Sequence, residues 1–152
     1  MSVAEPLRHK GRLEVHVKAQ FLASYTAEIL KNQKIFNPEV DKVLIDRMRN
    51  CAYDIYVKSW QANKIRAETN VVNRTMRYSL QEEAILLCDE LHACIGIAKK
   101  IYHLRDKRMK YWSGLIMEVR KLLQAWKESD VICYGCGGKQ NESYSQNLPV
   151  RN

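Results

Sequence analysis

Four histidines and five cysteines are the residues of this chain best suited to proton transfer, nucleophilic attack or metal binding, and their spacing limits what they can do. Cys133 and Cys136 form a Cys-x-x-Cys set among Gly135, Gly137 and Gly138. A structural zinc site takes four ligands. The sequence that follows, ESYSQNLPVRN, holds neither His nor Cys, so only a second chain could complete such a site, and no metal is expected. Asp89-x-x-His92 comes nearest to the Glu-x-x-His ligand pattern of metal-binding bundles, which also needs acids from four helices. Both residues fall off the apolar stripe of their helix, where an exposed i,i+3 contact is the simpler expectation. Arg12 and His16 stand near the start of the first helix with three residues between them, a shorter gap than the Arg-to-His spacing of some all-helical ribonucleases. No Gly-rich phosphate loop, GxSxG elbow or HExxH occurs. The chain therefore reads as a non-enzyme, with no catalytic residue and no cofactor. Cys51, Cys88 and Cys94 lie in amphipathic runs, where free cysteine acts as a small buried hydrophobe, and an odd cysteine count argues against a disulfide framework.

The chemistry that remains is charge. From Lys99 to Lys110 there are six cations (Lys99, Lys100, Arg105, Lys107, Arg108 and Lys110) and one acid, Asp106, a local net of +5; the other 140 residues together carry only +3. Solvated helix faces ordinarily mix both signs through i,i+4 pairs, and crowded like charge costs stability. A one-sided cluster therefore points to a polyanionic partner. With Arg74 and Arg77 near the start of the third helix, these cations are assigned to phosphate binding, which supplies affinity without reading base identity. The overall charge of +8 and pI near 9.3 agree. Tyr102, His103 and Tyr111 flank the cluster and could stack on unpaired bases.

Elements to position these cations follow from punctuation. No proline occurs between Pro38 and Pro149, and only Gly96 and Gly114 interrupt that span before the C-terminal glycines, whereas a β-rich chain would show turn signals every 8 to 12 residues or so. The expected fold is all-α, an up-down-up-down four-helix bundle. The first helix spans about residues 13–32 on a stripe of Val17, Phe21, Leu22, Tyr25, Ile29 and Leu30. Asn37-Pro38-Glu39 is a cap, a first-turn proline and a first-turn acid, opening a second helix to about residue 64 or 67 through Val40, Val43, Leu44, Met48, Cys51, Ile55 and Trp60. Thr69, Asn70 or Asn73 caps the third, whose core stripe is Met76, Leu80, Ala84, Leu87, Leu91, Cys94 or Ile95, Ala98 and Ile101. After a glycine-free turn at residues 103–106, the fourth carries Trp112, Leu115, Ile116, Val119, Leu122, Leu123 and Trp126, with both tryptophans in the core, and fades near Ser129 and Asp130.

The chain divides into a flexible segment at 1–12, the bundle at 13–130 and a polar, Gly-containing, disordered tail at 131–152. No stretch approaches the roughly 20 apolar residues of a membrane span, and no apolar run follows the N-terminal charges as in a secretory signal, so no membrane partner and a cytoplasmic location are expected.

Residues 13–130, with the long third helix, the turn HLRDKRMKYW and a fourth helix ending in LLQAWKESD, resemble the four-helix-bundle family of 23S rRNA intervening-sequence proteins and of Avd, the accessory variability determinant of diversity-generating retroelements. The resemblance implies a barrel-shaped homopentamer with a basic surface and no enzymatic activity. For an Avd-like member it implies a reverse transcriptase as partner, with the protein helping to position template RNA or an RNA–DNA hybrid during mutagenic copying. An intervening-sequence protein acting on ribosomal RNA and a helical protein–protein adaptor are the alternatives. The Cys-x-x-Cys tail lies outside the resemblance.

Overall fold

The helix boundaries are set by local capping, and the computed structural model shows how. It describes the backbone of residues 5–135, with side chains from residue 11 onward. Four helices, α1 (Glu5–Leu30), α2 (Pro38–Lys64), α3 (Val71–Tyr102) and α4 (Asp106–Tyr134), pack in a square in which α1 and α3 each touch α2 and α4. Among the described residues there is no strand. The up-down-up-down bundle is therefore the observed fold.

Asn37 caps α2 by accepting the Glu39 N–H at 3.0 Å. The helix is interrupted at Asp41, whose backbone is extended and whose carboxylate recaps the chain by accepting the Leu44 N–H at 3.0 Å. The Tyr102 hydroxyl reaches the carbonyls of Asp41 and Asn37, at 3.0 and 3.2 Å, and ties this double cap to the end of α3. Of the three candidate caps for α3, Asn70 is the one used, accepting the Asn73 N–H at 2.8 Å. The α3–α4 turn needs a left-handed residue and places His103 there, at φ 53°, a conformation that costs a non-glycine residue about 1 to 2 kcal/mol. Leu104, buried beside it, anchors the turn.

The core runs the length of the bundle. Trp112, Phe36, Leu22, Met48, Ile55, Leu91 and Ile95 are fully buried, each large side chain contributing about 1.5 to 3 kcal/mol. Trp112 donates its indole N–H to Thr26 at 3.0 Å, and Trp126 is also buried. Cys51, Cys88 and Cys94 are buried packing groups. Cys51 donates to the Leu87 carbonyl at 3.1 Å, and burial pushes the Cys51 and Cys88 thiols up to about 12.

Several expectations are corrected. The first helix begins at Glu5, eight residues before its expected start near residue 13. On α1 the inward stripe is Val15, Ala19, Leu22, Ala23, Thr26 and Leu30, while Val17 and Phe21 face solvent. Val40, Val43, Trp60 and Met76 are likewise exposed. At the far end α4 continues through residues 131–134, past the point where the sequence pattern fades. The tail from residue 136, Cys136 included, lies outside the described residues.

Candidate nucleic-acid interface

An up-down bundle brings its first and third connections to the same end, so the α1–α2 loop meets the α3–α4 turn. Lys34 and Ile35 from the former, and Tyr102, His103, Leu104, Arg105 and Arg108 from the latter, line a cavity of about 340 Å³. Around the corner, Arg105, Lys107 and Arg108 line a second, more open cleft of about 310 Å³ with Tyr25 of α1 and Tyr111 of α4. Arg105 and Arg108 are common to both, which makes them the centre of the cationic end.

Lys99, Lys100, Arg105, Lys107 and Lys110 are exposed and Arg108 is half-buried. Asp106, the single acid, bonds Lys99 at 2.9 Å, and that contact holds its carboxyl below the usual range. Among the described residues, no acidic side chain lies within ion-pairing distance of Lys100, Arg105, Lys107, Arg108 or Lys110. Elsewhere several cations are matched, Arg47 with Glu90, Lys58 with Glu83, Arg120 with Asp89 and Lys127 with Glu82, and those without an acid in range, such as Lys42, Lys64, Arg66 and Lys121, are scattered along the chain.

Lys99 and Lys100 suit the C-terminal turn of α3, where the helix dipole is negative. Arg105, Lys107 and Arg108 are placed against the same rule. Arg105 occupies the N-cap of α4 and makes no side-chain capping bond, and the positive end of the dipole there favours anions. Such a local conflict is what a binding site looks like when its partner supplies the missing charge.

Arg74 and Arg77 do not belong to this surface. They are buried at the opposite end of the bundle, 8% and 3% exposed. Arg77 grips Asp130 with two bonds, 2.7 and 3.0 Å, and donates to the Ile65 carbonyl at 3.0 Å. Gln81 gives Asp130 a further bond at 2.7 Å. Arg74 donates to the Ala67 and Tyr134 carbonyls at 3.2 and 2.8 Å. Their charge is spent on joining the end of α4 and the α2–α3 loop to α3, and the phosphate-binding set loses both.

Lys34 and Tyr25 are the residues that sequence reasoning left out. Lys34 carries no local charge cluster, and Tyr25 reads as one more apolar position of α1; only the topology, which joins the two connections at one end, points to them. Tyr102 is committed to the double cap and packs on Phe36 at 5.2 Å. Tyr111 remains open, 52% exposed, edge-on to Tyr25 at 5.2 Å. Burial of Tyr25 raises its hydroxyl above the usual range, with the nearby Arg108 charge pulling the other way.

The other candidate groups have structural work. Asp89 bonds Arg120 across to α4 at 2.8 Å instead of pairing with His92, which is exposed. His16 packs edge-on against Trp126 at 5.8 Å, and burial lowers its pKa from 6.5, with Asn63 opposing and Arg12 reinforcing the shift. A groove of about 500 Å³ between α3 and α4 holds the mutually neutralised Glu82 and Lys127 beside Ile85 and Val131. No group of three or more His, Cys, Asp or Glu able to hold a metal occurs among the described residues. No helix among them is long and apolar enough to cross a membrane. Comparison with protein-family models, curated proteins and solved structures finds no match to this chain.

Proposed function

We propose that this protein is a non-enzymatic, homo-oligomeric accessory protein that holds structured RNA or an RNA–DNA hybrid on the cationic end of its bundle. Following the resemblance to Avd, its partner is a reverse transcriptase of a diversity-generating retroelement, and its part in mutagenic copying is to position template RNA and cDNA. The observation that carries the reading is the crowding at one end of the bundle of five cations that have no acid within ion-pairing distance, three of them placed at or next to the wrong end of a helix dipole for stability. Phosphates would satisfy both features at once.

Replacing Arg105, Lys107 and Arg108 with glutamate tests it. Melting should stay the same or rise slightly, because exposed charge changes are worth about 0.5 kcal/mol or less each and acids suit the start of α4. RNA affinity should fall, and the slope of log K against log salt should flatten by about 2 to 3 units per subunit engaged, equally for unrelated sequences. Lys64, Arg66 and Lys121, exposed and away from the bend, form the control triple; equal losses from both triples would reduce the site to bulk charge. Unchanged RNA affinity in the first variant would favour the adaptor alternative.

Self-association is supported by apolar side chains left outside the core: Leu13 and Val17 on α1, and Tyr53, Val57 and Trp60 on α2. Such side chains mark an interface where they form one contiguous patch. Light scattering at micromolar concentration should report a closed homo-oligomer, a pentamer on the resemblance; a monomer persisting at high concentration would remove that part of the proposal.

A further inference from the structure

We infer that the cleft of Tyr25, Arg105, Lys107, Arg108 and Tyr111 is a single-strand site, in which an unpaired base stacks on Tyr111 while the three cations hold its flanking phosphates. The inference rests on the nucleic-acid reading above and goes beyond it, because phosphate contacts alone do not distinguish a duplex from a single strand.

Three observations carry it. Tyr111 is about half exposed beside three cations that have no acid within ion-pairing distance, so the partner that meets those cations also meets the ring. Its planes are inclined 66° to those of Tyr25, and in an edge-on pair only one ring gives up a face, which leaves aromatic surface uncovered. Beyond Tyr25 the apolar surface continues, since Phe21, itself 47% exposed, stacks on Tyr25 at 6.3 Å and 21°. Aromatic faces next to cations are the construction that grips single strands without sequence preference. A duplex has no use for the ring, because its bases are already stacked on one another. The cleft volume, about 310 Å³, is at the small end of ligand pockets and suits one nucleotide.

The test compares a uridine-rich single-stranded RNA of a dozen nucleotides, carrying one 2-aminopurine, with a blunt duplex of the same length. The wild-type protein should quench the 2-aminopurine as the base stacks, and Tyr111→Phe should keep that signal, since the hydroxyl is not needed. Tyr111→Ala should abolish quenching and weaken single-strand binding by about 5- to 150-fold, with duplex affinity and the salt slope unchanged. Tyr111→Lys separates stacking from charge: it also loses the quench, although a purely electrostatic surface would bind more tightly. Thermal melts confirm that each variant folds.

Single-strand affinity within twofold of wild type in Tyr111→Ala, or an equal loss on the duplex, would overturn the stacking site while leaving phosphate binding in place. Failure of the wild-type protein to bind either RNA would bring down both readings.

Discussion

Replacing Asp130 with alanine is expected to remove about 3 to 5 kcal/mol of folding stability, the range for breaking a buried ion pair from one side. The Arg77 and Asp130 side chains are each 4% exposed, so the lost carboxylate cannot be replaced by bulk water. The guanidinium keeps its bond to the Ile65 carbonyl but loses its counter-charge, and the Gln81 amide loses its acceptor. The paired substitution Arg77→Met with Asp130→Leu should cost much less, because it removes both charges and leaves neither partner as an unpaired buried ion. Urea unfolding followed by far-ultraviolet circular dichroism measures both. A loss below about 1 kcal/mol for Asp130→Ala would mean that the pair is solvated. The same variants separate structure from binding: changes at Arg77 should affect RNA only as far as they unfold the protein, with no change in salt slope.

Leu91→Ala is expected to cost about 2 to 5 kcal/mol. Leu91 is fully buried in the core with Cys88, Ile95 and Ile55, and the cavity left by truncation adds to the lost transfer energy. Leu87, four residues earlier, is only partly buried against that core, so its truncation should cost clearly less. Leu86, 57% exposed, should change stability by about 0.5 kcal/mol or less. The graded series reads the rotation of α3 directly. Equal losses at residues 86 and 91 would place α3 in a different register.

Both experiments bear on what could be read before folding. Four helices, their order and most of their ends follow from signals within a few residues of each boundary. Asn37-Pro38-Glu39 opens α2, one of Thr69, Asn70 and Asn73 opens α3, and the run from Leu80 to Ala98 keeps one face because a 3.6-residue period repeats whatever packs against it. The cationic bend was visible for the same reason: its charges are neighbours in sequence.

The inward face of α1 was legible only in part, at Leu22, Tyr25, Ile29 and Leu30. Apolar residues occur on both of its sides, and the buried stripe includes Ala19, Ala23 and Thr26, which a search for large hydrophobes passes over. Small residues are buried wherever another helix covers them, and which face is covered is settled only when the helices pack.

The charges show the division most clearly. Composition and local clustering by themselves determined that the chain is basic and that one turn between long helices concentrates cations, since net charge is a sum over residues. Which cations are free to meet a partner was decided by tertiary structure alone. Arg77 finds Asp130 across 53 residues of sequence, and Lys34 reaches Arg105 and Arg108 only because the two connections share an end. A charge acts over a few ångströms of space, screened beyond about 10 Å, and distance along the chain gives no measure of that separation until the helices are packed.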